Sequence, residues 1–433
     1  YCNTTGTNNI ALGQVALRNN TSGCNNIAIG YGALYCNTTG TQNVAVGCSA
    51  LRWNTTGYGN VAVGIAALCS NTTGTYNIAL GQSSLLNNTY GSNNIALGLY
   101  SLISNTTGTN NVAIGSSTLY CNTTGGYNLA VGRSALRSNT TGTYNIALGH
   151  CSLTCNSYGS QNVALGACSL MNNITGMSNI AIGGGSLFGN TNGNYNVAIG
   201  CLSLKCNTTG AQNIAVGPCA MLSNTIGLGN VAVGGCTLYL NTTGNYNVAL
   251  GSSALYLNTT GACNIAIGNS SLYSNTGGNN NIALGTCSLM SNTTGTSNIA
   301  IGLCVLKNNT SGCFNIALGL TALFCNTTGT LNVAIGTQSL KSNTTGVSNV
   351  AIGTSALFCN TFGCENIALG CYSQYSNTTG NCNISLGKVA LYSNVAGVNN
   401  IAIGAGSLYG NTYGVSNVAI GASAGCSING SNN

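Results

Sequence analysis

Residues 3–19 read NTTGTNNIALGQVALRN, residues 20–36 read NTSGCNNIAIGYGALYC, and residues 37–53 read NTTGTQNVAVGCSALRW. The same 17-residue unit continues without insertion or deletion to residue 427, which gives 25 consecutive copies. We number the positions of each copy from 1, the leading Asn, to 17. A short unit repeated at a fixed period is typical of a solenoid, in which each copy is one coil that stacks on its neighbours.

Four positions of the unit are the same in every copy. Positions 1 and 7 are always Asn and positions 4 and 11 always Gly, so the two Gly columns hold 50 of the 63 glycines. A Gly or Asn every few residues excludes a helix. Asn and Gly are turn residues, and Gly at position 11 predicts a corner with positive φ. The Asn column at position 7 predicts a ladder of amide hydrogen bonds from coil to coil.

Positions 8 to 10 predict a short strand. Positions 8 and 10 are always Ile, Val or Leu, whereas position 9 is Ala in every copy except for Ser385. This alternation indicates that the branched side chains share one face, which we expect to be the core. Position 15 is Leu in 22 copies and predicts a further apolar column; its exceptions are Met221, Gln374 and Gly425. The alternation assigns positions 13 and 14 to neither face.

The predicted fold is therefore all-β, a parallel β-solenoid of 25 coils of 17 residues. Because the unit accounts for residues 3–427, we predict a single repeat rod over residues 1–433. Tyr1 and Cys2 match positions 16 and 17 of an earlier coil, and residues 421–433 read as a shortened coil. Neither end carries a polar capping repeat, so we expect a fragment of a longer chain.

The composition excludes several classes of function. Charged residues make up 2% of the chain, and the net charge of +7 is spread over eight basic residues without a cluster. We therefore predict no nucleic-acid partner. The apolar runs are too short to span a membrane. The only acid, Glu365, and the only histidine, His150, lie in distant coils, so the sequence predicts no catalytic residues, cofactor or metal site and no enzyme activity.

The 23 cysteines avoid the strand positions and collect at positions 5, 13 and 17. Equivalent Cα atoms of stacked coils are about 4.8 Å apart, which is within the range of a disulfide. The candidate pairs are Cys151–Cys168, Cys219–Cys236 and Cys287–Cys304 at position 13, Cys24–Cys36 and Cys313–Cys325 beside the turn, and Cys359–Cys364 across one turn. The alternative is that Cys simply fills small sites. Disulfides would indicate an oxidising, extracellular setting.

Position 1 heads an Asn-x-Ser/Thr sequon in 17 coils. Asn persists in the eight coils that lack the sequon, so the turn itself requires Asn, yet glycans would keep a chain with so few charges in solution. The candidate glycosylation sites include Asn3, Asn20, Asn37, Asn54, Asn71, Asn105, Asn122, Asn139, Asn207, Asn241, Asn258, Asn292, Asn326, Asn343 and Asn377.

The Ala column at position 9 predicts an assembly face. If these side chains pointed to solvent, some of the 25 would have become polar, and only Ser385 departs. We therefore expect a second copy of the chain to pack closely against this column or against position 14, which is confined to Ala, Ser, Thr or Val. Ala198, Ala215 and Ala232 represent the predicted face.

The string N-[IV]-A-[ILV]-G followed by x-x-[AS] resembles the head repeat of YadA-type trimeric autotransporter adhesins. The longer unit NTTGxxNxAIGxxALxx is similar to repeats of phage tail-fibre-like proteins and related bacterial and giant-virus proteins. The resemblance covers Asn3 to Ser427 and implies a left-handed parallel β-roll that assembles as a homotrimer. The 17-residue unit is longer than that of the adhesin heads, and the cysteines are unusual for the group.

Three functions are compatible with these features. The first is a structural protein of an extracellular, cell-surface or virion-surface fibre, in which chains self-associate as homotrimers or filaments. The second is an adhesin that binds a host-surface or glycan receptor, with position 16 as a candidate surface (Arg18, Tyr35, Arg52, Tyr120 and Lys205). The third is an ice-binding protein, which is disfavoured because the paired Thr residues lie adjacent in a turn.

Overall fold

Each coil forms one three-residue strand, at positions 8 to 10, and its remaining residues form turns. The computed structural model describes residues 2–433; the match of Tyr1 to an earlier coil lies outside them. Over these residues the chain contains strands and turns and no helix. The prediction of an all-β parallel solenoid with a 17-residue coil is confirmed.

The chain comprises two compact units, Tyr1–Asn213 and Ile214–Asn433. The strands of the N-terminal unit are β1 (Ile10–Leu12), β2 (Ile27–Ile29), β3 (Val44–Val46), β4 (Val61–Val63), β5 (Ile78–Leu80), β6 (Ile95–Leu97), β7 (Val112–Ile114), β8 (Leu129–Val131), β9 (Ile146–Leu148), β10 (Val163–Leu165), β11 (Ile180–Ile182) and β12 (Val197–Ile199). Those of the C-terminal unit are β13 (Ile214–Val216), β14 (Val231–Val233), β15 (Val248–Leu250), β16 (Ile265–Ile267), β17 (Ile282–Leu284), β18 (Ile299–Ile301), β19 (Ile316–Leu318), β20 (Val333–Ile335), β21 (Val350–Ile352), β22 (Ile367–Leu369), β23 (Ile384–Leu386), β24 (Ile401–Ile403) and β25 (Val418–Ile420).

Within each unit, every strand pairs in parallel with the strand of the next coil, at an offset of 17 residues. In the first pair, Ile10 lies beside Ile27 and Ala11 beside Ala28, and the C-terminal unit repeats this register from β13 onward. The turns pair as well. Backbone N–H groups of positions 2, 8, 15 and 17 donate to the following coil, and those of positions 6, 11 and 13 donate to the preceding one. Backbone hydrogen bonds therefore join stacked coils around most of their circumference.

The core differs from the predicted one. Buried side chains come from positions 1, 7, 9, 14 and 15, whereas positions 8 and 10 point outward and are half-exposed. Leu at position 15 is buried, as predicted, but the prediction that the branched column at position 8 fills the core is wrong. Val231, for example, is only partly buried, while its neighbour Ala232 is fully buried. Position 14 lies inside and position 13 outside.

The small size of the coil explains the reversal. A 17-residue coil with a single three-residue strand encloses little space, and the Leu of position 15 and two Asn side chains occupy most of it. The inward side chain of the strand must therefore be small. At the C-terminal end of the chain, Ala402 of position 9 clusters with Leu391 and Leu408 of position 15 and with Ala390 of position 14. The Ala column thus packs against the Leu column of its own chain.

Two ladders of buried Asn amides run along the coils. At position 7, Asn43 donates from its Nδ2 to Asn26 Oδ1 (3.2 Å) and to the carbonyl oxygen of Gly57 (2.9 Å). At position 1, Asn54 donates from its Nδ2 to Asn37 Oδ1 (2.8 Å) and to the same Gly57 oxygen (2.9 Å). The predicted ladder at position 7 is confirmed, and position 1 forms a second. The carbonyl of position 4 links the two, so every buried amide hydrogen has an acceptor.

The invariant glycines meet different steric needs. At position 11, Gly30 has φ of 127°, and a Cβ there would lie 2.6 Å from the Gly47 carbonyl oxygen of the next coil. The predicted corner with positive φ is therefore confirmed. At position 4, a Cβ on Gly40 would overlap Asn37 Oδ1 and the Gly57 oxygen, because the two ladders converge on this turn.

Two exceptions to the repeat contact each other. Gln374 occupies the Leu position of one coil and Ser385 the Ala position of the next. Gln374 donates from its Nε2 to Asn366 Oδ1 (2.9 Å) and accepts from Ser385 Oγ (3.3 Å). Ser373 completes the cluster by donating to Ser385 Oγ at 2.8 Å. All four residues are fully buried, so this is a closed polar cluster inside an otherwise narrow apolar core.

The ladder at position 7 predicts that two neighbouring amide-to-acid substitutions lower the free energy of unfolding by very different amounts. Asn43→Asp removes the Nδ2 donor and brings a carboxylate against Asn26 Oδ1 and the Gly57 oxygen, so we expect a loss of about 3 kcal/mol. The matched control, Gln42→Glu, makes the same chemical change on an exposed residue. We expect it to lower the free energy of unfolding by less than about 0.5 kcal/mol. Urea unfolding followed by circular dichroism measures both. Equal effects would show that the ladder does not stabilise the fold.

The polar cluster predicts that its two members are coupled. Ser385→Ala leaves Gln374 Oε1 buried without its donor, so we expect destabilisation of about 1–2 kcal/mol. The double variant Gln374→Leu/Ser385→Ala restores the common Leu and Ala and should be at least as stable as the wild type. Leu357→Gln, which lies beside Ala368 rather than Ser, is the control and should destabilise strongly. Additive effects of the two substitutions would contradict the coupling.

Candidate interaction surfaces

Every coil presents the same outward positions, so each surface of a unit is built from columns of equivalent residues. We call the side chains of positions 8 and 10 the strand face and those of position 16 the aromatic column. Position 3 in the NTTG turn and position 6 are exposed, and positions 12, 13 and 17 lie near the aromatic column. Apart from the buried side chain of Ser355 at position 13, these columns lie outside the core, and all except the strand face vary widely from coil to coil.

The strand face is almost entirely aliphatic. Its side chains are Ile, Val or Leu in every coil; most are partly exposed, and the more exposed among them include Val63 (38%), Ile214 (40%) and Ile267 (39%). The side chain of position 9 points inward between them. Each unit therefore shows two parallel aliphatic ridges, which are separated by a valley along the backbone of position 9.

The predicted assembly face is wrong. Ala198, Ala215 and Ala232 are fully buried inside their coils and cannot contact a second chain. The near-invariance of this column reflects the narrow interior of the coil, because any larger side chain at position 9 would collide with the Leu column. The chain is most uniform where it packs against itself.

The sequon side chains are also buried, which contradicts the predicted glycosylation of the folded chain. Of the candidates, Asn3 alone is exposed, since the others are members of the position 1 ladder. Both hydrogens of each Nδ2 are used, as in Asn54, which donates to Asn37 and Gly57. A glycan on Nδ2 would remove one donor and could not fit inside the coil. The turn explains Asn at this position without a glycan.

The cysteines of position 13 lie in register in neighbouring coils. The Cys168 amide donates to the His150 carbonyl and the Cys304 amide donates to the Thr286 carbonyl. Each acceptor directly precedes the Cys of the previous coil, so the two cysteines of a pair lie one above the other. Cys151, Cys168, Cys236, Cys287 and Cys304 are half-buried free thiols in the structure, and Cys219 is half-buried. The stacking that the three pairs need is therefore present, and their linkage remains a prediction.

The cysteines of position 5 have another role in the structure. The Thr7 amide donates to Cys24 Sγ at 3.3 Å, and the Thr296 amide donates to Cys313 Sγ at 3.2 Å. Ser or Asn accepts the same hydrogen bond in other coils; the Thr75 amide, for example, donates to Ser92 Oγ. Cys at position 5 thus acts as an acceptor in place of Ser. This favours the small-residue alternative for Cys24, Cys313 and Cys364 over the pairs Cys24–Cys36, Cys313–Cys325 and Cys359–Cys364.

Local contacts separate the thiols by reactivity. The hydrogen bonds from Thr7 lower the pKa of the Cys24 thiol. Burial raises the pKa of Cys36, against a smaller opposing effect of the Arg52 charge, and burial also raises the pKa of Cys359. Cys24 is thus the more reactive member of its candidate pair, since the thiolate is the reactive form.

The aromatic column contains stacked rings. Phe358, Tyr375, Tyr392 and Tyr409 form a continuous stack, with ring centroids 5.0, 5.2 and 5.1 Å apart and planes within 10° of parallel. A second stack joins Tyr239, Tyr256 and Tyr273. The coil spacing sets these distances. Because each ring covers the face of the next, the rings present mainly their edges to solvent.

The aromatic column also holds six of the eight basic residues, Arg18, Arg52, Arg137, Lys205, Lys307 and Lys341. The sequence predicted position 16 as a candidate surface with Arg18, Arg52 and Lys205, and Arg137, Lys307 and Lys341 are three further members of the same column. Several of these cations lie over neighbouring rings. The Arg52 guanidinium is 5.8 Å from the Tyr35 centroid and 5.4 Å from that of Trp53, and Lys341 Nζ is 5.3 Å from that of Phe358.

The only histidine and the only acid are both exposed and belong to different units. His150 occupies position 12 and has its Nε2 at 3.6 Å from Cys151 Sγ. Glu365 occupies position 6 of the other unit and accepts a hydrogen bond from Cys382 Sγ. Residues 2–433 contain no group of three or more His, Cys, Asp or Glu side chains that could hold a metal ion. In the same part of the chain, no helix could cross a membrane.

Comparison with known proteins identifies no family. No protein-family model matches the chain, and no curated protein is significantly similar to it. Its function must therefore be inferred from the surfaces described above.

The thiol environments predict an order of alkylation. In the folded protein without reductant, we expect iodoacetamide to label Cys24 quickly and the position 13 pairs slowly, because a disulfide removes both thiols. Non-reducing peptide mass spectrometry should then find Cys151–Cys168 and Cys287–Cys304 linked. After reduction, the same four cysteines should become reactive, which controls for burial. Complete labelling before reduction would contradict the disulfide prediction.

Proposed function

We propose that this chain is a structural protein whose solenoid units associate laterally into an extracellular or virion-surface fibre. The observation that carries the proposal is the strand face, where two aliphatic columns run along each unit without any charged residue. A soluble protein seldom leaves a continuous apolar surface of this length uncovered. Covering it requires a partner of the same length and period.

The size of the strand face suits a stable interface. A three-residue strand is about 10 Å long and coils are about 4.8 Å apart, so the twelve strands of the N-terminal unit offer a planar area of roughly 580 Å². Two such faces in contact would bury about 1,200 Å² in total, the lower limit for specific complexes. The thirteen strands of the C-terminal unit provide slightly more.

The partner that fits best is a second copy of the chain. The two ridges are about 6.6 Å apart, twice the rise per strand residue, and the valley between them lacks side chains. A ridge of one copy can therefore lie in the valley of another, as in the dry interfaces between paired β-sheets. Because the ridges repeat with the coil spacing, only a surface of the same repeat matches them along their length. The homotrimer implied by the adhesin resemblance is one arrangement of such contacts.

The ice-binding alternative gains no support from the Thr residues. In most coils the position 2 hydroxyl donates to the position 2 carbonyl of the next coil, as Thr38 does to Thr55 at 3.1 Å. These hydroxyls connect coils and are half-buried. The position 3 hydroxyls are exposed and follow one another along the coils, which gives a single row at the turn instead of a flat array. The adhesin alternative depends on the aromatic column.

Charges on the strand face should weaken association. In the variant Ile301→Lys/Ile335→Lys/Ile352→Lys, three position 10 side chains that are 37–39% exposed become cationic. We expect association to weaken relative to the wild type, because each ammonium group would have to lose its water where the C-terminal unit meets its partner. Circular dichroism should stay unchanged, since these side chains lie outside the core. Sedimentation velocity and electron microscopy measure the assembly.

The matched control places the same three charges in the same coils on the exposed turn, as Thr294→Lys/Thr328→Lys/Thr345→Lys. This variant should associate like the wild type. If both variants associate as strongly as the wild type, another surface forms the contacts. If the wild type is monomeric at every concentration tested, the fibre proposal fails.

A further inference from the structure

We propose that the aromatic column binds a linear acidic polysaccharide through two cation–aromatic–cation motifs. The first motif consists of Arg18, Tyr35 and Arg52 in the N-terminal unit, and the second consists of Lys307, Phe324 and Lys341 in the C-terminal unit. In each, the three residues occupy position 16 of three consecutive coils. The order of cation, ring and cation is the same in both units, but the contacts differ: Tyr35 contacts both of its cations, whereas Phe324 contacts Lys307 and Lys341 lies over Phe358 of the next coil.

Aromatic rings hold the cations of the first motif in place. The Arg18 and Arg52 guanidinium carbons each lie 5.8 Å from the centroid of the Tyr35 ring, and Arg18 Nη1 also donates to the Tyr35 hydroxyl at 3.3 Å. Trp53 supports Arg52 from the side, and Arg52 Nε makes no hydrogen bond. In the second motif, Lys307 Nζ lies 5.7 Å from the Phe324 centroid. Ring contacts restrict these long side chains before any ligand arrives, which lowers the entropy lost on binding.

The chain itself cannot neutralise these cations. It has eight basic residues and a single acidic side chain, Glu365, which lies at position 6 and contacts Cys382. The position 16 column contains no acid at all. Anions that pair with it must therefore come from another molecule.

The geometry favours a polysaccharide with one anion on every second sugar. Cations of a motif lie two coils apart, or about 9.6 Å, a spacing comparable to the length of a disaccharide. Duplex DNA carries one charge per about 1.7 Å of axis and requires many more contacts. Single-stranded nucleic acids need open ring faces for base stacking, and here cations and neighbouring rings cover those faces. Asn19 and the Tyr35 hydroxyl add neutral polar groups that suit sugar hydroxyls.

Hyaluronan oligosaccharides, which carry one carboxylate per disaccharide, provide the test by titration calorimetry at low salt. We expect binding that weakens as salt rises. Removing one motif, as Arg18→Gln/Arg52→Gln or Lys307→Gln/Lys341→Gln, should halve the number of binding sites and leave the affinity of the other motif unchanged, and removing both motifs should abolish binding. Neutral dextran should not bind.

The matched control is Arg133→Gln/Lys388→Gln, which removes two exposed charges from position 12, one in each unit. Its affinity should remain within about twofold of the wild type. An equal loss in this control would show that only net charge matters and would overturn the proposal. Tighter binding of an oligothymidylate than of hyaluronan would overturn it as well, in favour of a nucleic-acid ligand. The binding test uses dispersed chains and is therefore independent of fibre formation.

Discussion

The two buried Asn ladders are the constraint on which the rest of this structure depends. An amide side chain can continue a ladder only if the next coil places an identical group in register, so one missing member would leave a buried donor or acceptor unpaired on both sides. This requirement explains why Asn is invariant at positions 1 and 7 and why no coil is longer or shorter than 17 residues over residues 3–427. It also fixes Gly at position 4, whose carbonyl accepts from both ladders. The register of the strands follows from the register of the amides.

The ladders determine what else the coil can contain. With two Asn side chains and one Leu inside, the strand can turn only a small side chain inward, and the branched residues of positions 8 and 10 are left outside. There they flank the backbone hydrogen bonds that join the strands of neighbouring coils. The aliphatic strand face is therefore a consequence of the polar interior. Because amides fill much of its core, this chain presents its branched aliphatic residues on the outside.

The sequence was sufficient to predict the coil, its 17-residue period, the parallel stacking, the Leu column and one amide ladder, because each rests on a local or repeated signal. It did not predict which face of the strand points into the core. Alternation defines two faces but does not say which is inside, and that depends on the volume enclosed by the turns. A signal was nevertheless present: position 9 is Ala in all coils but one, whereas positions 8 and 10 exchange Ile, Val and Leu freely. A confined site tolerates fewer changes than a surface, so the near-invariance of Ala198 and its equivalents marked the interior. The paired exceptions Gln374 and Ser385 carried the same information, since they are polar residues that contact each other only if both point inward.

Differences in variability also separate the outward columns from the positions that build the fold. Positions 12, 13, 16 and 17 hold 18 of the 23 cysteines and all eight basic residues, although none of these positions takes part in either ladder. The interior demands identical residues from coil to coil and leaves these outward columns unconstrained, so whatever is distinctive about an individual coil must appear on them. Stacking then brings residues that are 17 apart in sequence into ring-stacking or cation–aromatic contact with each other. A solenoid can in this way build a site from residues that look scattered, and the cation–aromatic–cation motif is such a site. Its capacity to bind a ligand comes from the alignment of its three side chains along the column. The invariant interior maintains that alignment.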